Sequence, residues 1–304
     1  ANDTVSGSIQ LWMESTGNGI CTGSSDALII TLSPAPVINA GPDQTLCSDA
    51  SLISLAGELE NITQGIWTSN GTGTFDDDNA INTNYTLSPA DASLNTISFT
   101  FTTVDHGICK EYSDQMFVSL TASPTVDAGF SQTLCADTSE VQLNAAFTIS
   151  GGIEWSASGS GSFSPNNTDI NAKYLPNSAD TTLGNVTIFI STTQNGLCNI
   201  VKDSVIINFT PVPTVFAGID HTICADTNSV QLIAATQNTI GFTWSTNGSG
   251  SFFSSQFEDT VQYQPSNADT AARTIEIYLT SDPEICTSVV DVLTINITPQ
   301  PFLT

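Results

Sequence analysis

Basic residues are scarce in this 304-residue chain, which has four Lys and Arg residues against 30 Asp and Glu and a formal net charge of −26. A surface with this charge repels nucleic acid and anionic lipid. Only two histidines are present, so a repeated Ser/His/Asp or Cys/His arrangement is excluded. No apolar run reaches the roughly 18 residues that a membrane helix needs. We therefore expect no catalytic residue, no cofactor, no metal, no nucleic-acid partner and no membrane insertion.

One short stretch recurs three times. Gly41-Pro42-Asp43-Gln44-Thr45-Leu46-Cys47 returns at Gly129–Cys135 and at Gly218–Cys224, so successive copies start 88 and 89 residues apart. A fixed period of this length indicates a tandem array of one structural unit. Other residues keep the same register, and the candidate core residues among them are Trp67, Trp155, Trp244, Tyr85, Tyr174 and Tyr263. Three aspartates share it as well, namely Asp91, Asp180 and Asp269.

The register defines the predicted domains. Residues 35–123 are repeat 1, residues 124–211 are repeat 2, residues 212–299 are repeat 3, and residues 300–304 begin a further linker. Residues 1–34 match only the C-terminal half of a repeat, because Cys21 and Asp26 keep the spacing of the later cysteines and aspartates. Half a sandwich cannot bury its own apolar face, so we expect this chain to be a window on a longer array.

Within each repeat the apolar residues alternate with polar ones. Ile97, Phe99 and Phe101 do so in repeat 1, and a second alternating run follows after a turn, with Met116 and Val118. This period of two predicts strands with one buried face that form a closing hairpin. Six to eight short strands in fewer than 90 residues predict an all-β fold, a tandem array of immunoglobulin-like antiparallel β-sandwiches.

These motifs resemble a known family. The run Ala-Gly-x-Asp/Ser-x-Thr-Leu/Ile-Cys, a strand with Trp-Ser or Trp-Thr-Ser, and a last hairpin with Gly-x-Cys are similar to the immunoglobulin-like and PKD-like repeats of giant Bacteroidota surface adhesins, including the gliding-motility type. The resemblance spans essentially the whole chain. It implies type IX secretion, a cell-surface location, and a role in adhesion, with neighbouring repeats and either surface polysaccharide or the motility machinery as partners.

Seven cysteines at fixed repeat positions, with no CxxC pair, predict one disulfide per repeat and an oxidising, extracellular setting. Two pairings fit the spacing. Pairs within repeats would be Cys47 with Cys109, Cys135 with Cys198, and Cys224 with Cys286, leaving Cys21 for an upstream partner. Pairs across junctions would be Cys21 with Cys47, Cys109 with Cys135, and Cys198 with Cys224. The first set is favoured, because the final strand carries the chain about 33 Å away from Cys109 before the junction.

Other candidate sites depend on surface residues. Asp followed by Ser or Thr and a small or aliphatic residue resembles the Bacteroidota O-glycosylation signal, and it occurs at Thr4, Thr181, Ser204, Thr260 and Thr270. The acidic run Asp76–Asp78 has no acidic counterpart in the other repeats, so a calcium site there is not favoured. Aspartates five residues after each hairpin cysteine, at positions 26, 114, 203 and 291, are predicted to stabilise turns or accept backbone amides.

The sequence therefore predicts a non-catalytic repeat segment that forms the stalk or fibre of an adhesin. Two alternatives remain open at this point. Trp12, Phe189 and Tyr278 face outward on equivalent strands and could stack on sugars, which would make each repeat a carbohydrate-binding module. The chain could also be a subunit of a polymeric extracellular filament.

Overall fold

The computed structural model describes residues 7–105, 107, 109–148, 151–282 and 284–300. The chain forms two compact units. Unit 1 is Ala1–Pro124 together with Asn195–Ile200, and unit 2 is Thr125–Gln194 together with Val201–Thr304. The break after Pro124 falls beside the predicted start of repeat 2, whereas a short segment of repeat 2 belongs to unit 1.

The described strands follow one order in each repeat. The N-terminal hairpin is β1 (Ser8–Glu14) and β2 (Ser25–Thr31). Repeat 1 holds β3 (Val37–Asn39), β4 (Gln44–Cys47), β5 (Leu52–Ala56), β6 (Glu58–Glu60), β7 (Gly65–Ser69), β8 (Thr74–Phe75), β9 (Asn82–Thr86), β10 (Thr96–Thr103) and β11 (Ser113–Thr121). Repeat 2 holds β12 (Thr125–Asp127), β13 (Gln132–Cys135), β14 (Val141–Gln142), β15 (Ala146–Thr148), β16 (Gly152–Ala157), β17 (Ser162–Ser164), β18 (Lys173–Leu175), β19 (Asn185–Thr193) and β20 (Lys202–Thr210). Repeat 3 holds β21 (Thr214–Phe216), β22 (His221–Cys224), β23 (Val230–Ile233), β24 (Ala235–Gln237), β25 (Phe242–Thr246), β26 (Ser251–Phe252), β27 (Thr260–Gln264), β28 (Thr274–Ser281) and β29 (Val290–Thr298).

Each repeat is a two-sheet sandwich. In repeat 1 the larger sheet has the order β4-β11-β10-β7 and the smaller one β5-β9-β8, with β3 and β6 as an additional pair. Strand β10 is antiparallel to both of its neighbours, but β4 runs parallel to β11. Repeats 2 and 3 keep this order, with larger sheets β13-β20-β19-β16 and β22-β29-β28-β25. The predicted tandem immunoglobulin-like sandwich is therefore confirmed.

The prediction of six to eight strands was low, since nine per repeat occur in the part of the chain that the structure describes. The additional strands are two or three residues long, too short for alternation to show. A short helical segment also precedes each final hairpin: a 3₁₀ turn at Asp91–Ser93, α1 (Ser178–Leu183) and α2 (Asn267–Ala272). Both α-helices begin with a capping box, on Asn177 and Ser266.

The core lies between the two sheets of each repeat. The inward residues of β10, Ile97, Phe99 and Phe101, are 0% exposed, as the alternation predicted. Trp67 stacks on Phe101 with ring centroids 4.4 Å apart. The N-terminal hairpin contrasts with this, because among the described strands β1 and β2 pair only with each other, and Met13 is 75% exposed.

The repeated Gly-x-Asp/Ser motif attaches β4 to the last strand. Gly41 has φ +85°, and a Cβ there would lie 2.9 Å from the Ala56 carbonyl oxygen, so a side chain at this position is disfavoured. Two residues later, Asp43 Oδ1 accepts a hydrogen bond from Phe117 N at 2.8 Å. Repeat 3 has the same bond from Thr294 N to Asp220 Oδ1. The motif therefore fixes where each cysteine-bearing strand begins beside the closing hairpin.

Candidate functional site

The direction of β4 places Cys47 far from Cys109. In the parallel pairing of β4 with β11, Cys47 lies opposite Thr121, the last residue of β11. Cys109 precedes Ser113, the first residue of β11, and the nine residues of this strand span about 26 Å. A disulfide needs Cα atoms within about 7 Å. Cys47 and Cys109 therefore belong to opposite ends of the sandwich.

Both predicted sets of disulfides are consequently wrong. The structure forms Cys47–Cys198 and Cys135–Cys286, each with a Cα–Cα distance of 4.9 Å and each with a sequence separation of 151 residues. The observed bonds replace the predicted within-repeat partners of Cys47, Cys135, Cys198 and Cys286. They also replace the predicted cross-junction partners of Cys47, Cys135 and Cys198. We call each observed bond a staple: it joins the cysteine after the repeated Gly motif to the hairpin-loop cysteine of the next repeat.

The first staple lies within unit 1. Cys198 is in the loop between β19 and β20, and the segment Asn195–Ile200 of this loop belongs to that unit. Cys198 Sγ lies 3.6 Å from the carbonyl oxygen of Ala122, just beyond the end of β11. The neighbouring Asn199 N donates to Asp49 Oδ2 at 3.0 Å. The loop is therefore held by a covalent bond and by a charge-assisted hydrogen bond.

The second staple repeats this geometry within unit 2. Cys286 Sγ lies 3.6 Å from the carbonyl oxygen of Thr210 and 3.7 Å from that of Pro211, just beyond β20. Cys135 and Cys286 are each 7% exposed. Because two staples with the same separation have the same surroundings, they are a property of the repeat.

A staple closes a large loop in the unfolded chain. In the chain-entropy model, a loop of 151 residues stabilises the folded state by about 5 kcal/mol, although the two loops overlap and their effects do not simply add. Cys47, Cys198 and the Asp49 carboxylate also converge closely enough to suggest a metal site. Both sulfurs are in the disulfide, however, and the thiolate is the form of cysteine that binds metals, so these residues are not a metal centre.

A second repeated constellation is a buried Tyr–Asp pair. Tyr174 OH donates to Asp180 Oδ2 at 2.8 Å and accepts from Gly161 N, while Ser160 N and Asn177 N donate to the same carboxylate. Burial and then the bond to Asp180 raise the pKa of Tyr174 to about 12. Burial alone would raise the pKa of Asp180, but these hydrogen bonds outweigh it and lower the pKa.

The same pair occurs in the other repeats as Tyr85 with Asp91 and Tyr263 with Asp269. The sequence showed that these aspartates share a register, but it gave them no role. The sequence does contain a pattern for this pair, since the Tyr and Asp are six residues apart in each repeat and a Gly-rich turn precedes them. Their role is structural: they attach the Gly-rich turn and the helical segment to the core.

The other predicted site residues lie apart from the staples. Trp67, Trp155 and Trp244 are at most 1% exposed. Asp114, Asp203 and Asp291 accept the amides of Ala40, Ala128 and Ala217 at 2.7–2.8 Å, which confirms that they pair with backbone. Of the glycosylation candidates, Ser204 and Thr260 are exposed, Thr181 and Thr270 are half-buried, and Thr4 lies outside the described residues. Glycosylation stays a prediction.

Three features bear on the alternative sites. Phe189 is 43% exposed and Trp12 is 69% exposed, while Tyr278 is half-buried and donates its hydroxyl hydrogen to Glu276 Oε2. The carboxylates of Asp76, Asp77 and Asp78 accept local hydrogen bonds from Asn79 or Asn84. In the described part of the chain, no helix has the length and apolar character to cross a bilayer.

Comparison with known proteins finds solved structures of low sequence identity. No family model and no curated protein matches the sequence. A three-domain immunoglobulin fragment of titin, I67–I69 in an E-to-A variant, is 9% identical with a TM-score of 0.45, over 86% of this chain and 98% of that one. Protocadherin gamma B7 cadherin domains 1–4 are 14% identical with a TM-score of 0.44, over 95% and 83%. Drosophila N-cadherin EC1–4 is 12% identical with a TM-score of 0.37, over 96% and 84%.

The sheets of the chain itself define its class. It is a tandem immunoglobulin-like β-sandwich repeat protein with two disulfides in its described part. The feature that distinguishes it from a plain array of sandwiches is that each disulfide joins two successive repeats.

Proposed function

We propose that this chain is a non-catalytic stalk segment of a large extracellular bacterial adhesin, with a role in surface attachment or gliding. The observation that carries the proposal is the pair of staples. A stalk is under tension when the cell moves relative to its substrate, and a sandwich held only by hydrogen bonds and apolar packing can be pulled open. Staples place covalent bonds between successive repeats.

The chemistry of the chain supports an extracellular location. Disulfides persist in oxidising compartments and are rare in the reducing cytosol. The net charge of −26 favours a hydrated, mutually repelling surface. The resemblance to Bacteroidota adhesin repeats adds type IX export and a cell-surface position to the proposal. The partners are then neighbouring repeats and, at the ends of the adhesin, surface polysaccharide or the motility machinery.

Two measurements test this role. Antibodies raised against the 304-residue chain should label intact cells of the producing organism, and brief external proteolysis should remove the label. Labelling that appears only after permeabilisation would contradict the extracellular location.

The purified chain should also give no saturable signal on a glycan array, because a stalk segment spaces a ligand-binding end from the cell. Saturable binding that is lost in Phe189→Ala would contradict the stalk and favour the carbohydrate-binding alternative. Reversible growth of long oligomers with protein concentration would instead favour the filament subunit.

A further inference from the structure

Cys224 occupies the same backbone position as the two strand cysteines that form staples. It is the last residue of β22 and lies opposite Thr298 in parallel register, as Cys47 lies opposite Thr121 and Cys135 opposite Thr210. The residue after the cysteine makes the same backbone hydrogen bond in both repeats. Ala225 N donates to Thr298 O at 2.9 Å, and Ala136 N donates to Thr210 O at 2.8 Å. The backbone around Cys224 is therefore arranged like that of a strand cysteine in a staple.

The surroundings of Cys224 reproduce the receiving side of a staple. Thr298 and Pro299 are the counterparts of Thr210 and Pro211, whose carbonyl oxygens lie against Cys286 Sγ. Asp226 follows Cys224 by two residues, as Asp49 follows Cys47 and accepts the amide of the incoming loop. In repeat 3 the side chains of Cys224 and then Gln300 lower the pKa of the Asp226 carboxyl group through hydrogen bonding.

The exposure of the cysteine side chain distinguishes the two stapled positions from Cys224. Cys47 is 2% exposed and Cys135 is 7% exposed, because a hairpin loop covers each of them, whereas Cys224 is a half-buried thiol. Cys224 therefore has the backbone register and the flanking residues of a stapled cysteine, but no loop covers its thiol in the described part of the chain.

We propose that Cys224 is the acceptor for the hairpin-loop cysteine of a further repeat of this type, placed in line after repeat 3. The two thiols lose two protons and two electrons and form one S–S bond, while a small-molecule disulfide such as oxidised glutathione takes up the electrons and protons and becomes two thiols. An in-line source is favoured because both observed staples take their loop cysteine from the next repeat, 151 residues further along the chain.

The third staple would change how an array carries load, independently of what the adhesin binds. A force that enters at Cys47 crosses to Cys198, follows the chain for 26 residues to Cys224 and crosses again. Two repeats would then contribute only this junction segment to the extensible path, about 86–94 Å. Continuous stapling therefore keeps most of each sandwich out of the loaded path.

The direct test is the full chain with a copy of residues 217–300 joined after Thr304, which places the copied Cys286 about as far from Cys224 as the observed staples span. After equilibration in oxidised and reduced glutathione, alkylation and non-reducing peptide mapping should recover Cys224 joined to the copied Cys286. The copied Cys224 should be recovered in alkylated form, because the altered chain has no further repeat to supply a loop cysteine for it. Alkylated Cys224 in molecules that contain Cys47–Cys198 and Cys135–Cys286 would overturn the proposal.

A second measurement uses the unaltered chain, in case the added copy fails to fold. A peptide with the sequence of residues 191–204, which carries Cys198, should form at least tenfold more mixed disulfide with Cys224 than with Cys21, an exposed loop thiol. The same peptide with Asn199→Pro lacks the amide that donates to the aspartate and should lose this preference. Equal labelling of Cys224 and Cys21 by the first peptide would overturn the acceptor site.

The source of the loop is tested by oxidising the unaltered chain alone and separating it without reductant. Monomers support the in-line arrangement. Oligomers joined between Cys21 of one molecule and Cys224 of another would overturn it, because a second copy would then supply the loop.

Discussion

At the scale of single residues, the repeat is organised by a few side chains that do two things at once. Tyr263 fills the core with its ring and attaches the Gly-rich turn through its hydroxyl, which accepts from Gly250 N and donates to Asp269. Trp244 is 0% exposed, and its indole nitrogen donates to the carbonyl of Glu258. Alternation identifies such positions as buried, but it does not show which polar atom each one satisfies.

The Asp269 carboxylate should make repeat 3 sensitive to acid. Burial would raise its pKa, but hydrogen bonds from Ser266, Ser249 and Tyr263 lower it below the ordinary value. A lowered folded-state pKa gives stability that is fully present above the unfolded value of about 3.9 and is lost as the pH falls through the folded value. Asp269→Asn should lower the free energy of unfolding by about 2–3 kcal/mol at pH 7 and by less at acid pH. Urea unfolding measures both values.

The matched control is Asp259→Asn, which changes an exposed carboxylate in the same repeat. Its free energy of unfolding should stay within about 0.5 kcal/mol of the wild type. Equal effects of the two substitutions at both pH values would contradict the role given to the Tyr–Asp pair.

Trp155 should be a major contributor to the stability of repeat 2. Its side chain is 1% exposed, and Nε1 donates to Asp169 O at 3.0 Å. Trp155→Ala leaves a cavity and removes one of the two hydrogen bonds that the Asp169 carbonyl accepts, since Ala172 N still donates to it. We therefore expect a loss of about 3–5 kcal/mol in thermal or urea unfolding. Trp12→Ala removes the same side chain from a 69% exposed position and should change stability little. Comparable losses in the two variants would show that burial is not what matters.

At the scale of elements, the sequence predicted the closing hairpins, their buried faces and the sandwich class. It failed on the cysteines because alternation gives the faces of a strand but not the direction of its neighbour. The within-repeat pairing of Cys47 with Cys109 requires that the first and last strands bring their cysteines to the same end. These strands do lie side by side, but parallel pairing sends Cys47 to the other end. The staples also cross one junction, but they join the strand cysteine of one repeat to the loop cysteine of the next, 151 residues away, and not to the nearest cysteine across the junction.

Alkylation of variants in which one cysteine is replaced tests each staple separately. In Cys47→Ser, Cys198 should become reactive towards iodoacetamide, while Cys135 and Cys286 stay linked, since the two disulfides are separate bonds. The measurement is peptide mapping without reductant. Exposure of Cys109 instead of Cys198 would restore the within-repeat pairing and contradict the structure.

At the scale of the whole molecule, the two disulfides overlap in sequence, and this overlap limits how far the chain can extend. Cys47 and Cys286 are 239 residues apart, which is about 790–860 Å for a fully extended chain. With both staples intact, the shortest covalent path crosses from Cys47 to Cys198, returns along 63 residues to Cys135 and crosses to Cys286. That path is about 210–230 Å long.

Single-molecule stretching between the chain ends tests most directly whether the disulfides join successive repeats, because it measures the length of the covalent path after every sandwich has unfolded. Oxidised chains should stop about 580–630 Å short of the length that the same chains reach in reductant. Cys109→Ser should leave the oxidised length unchanged, since this cysteine is in neither staple. An oxidised length equal to the reduced one, or an increase in Cys109→Ser, would contradict disulfides that join successive repeats.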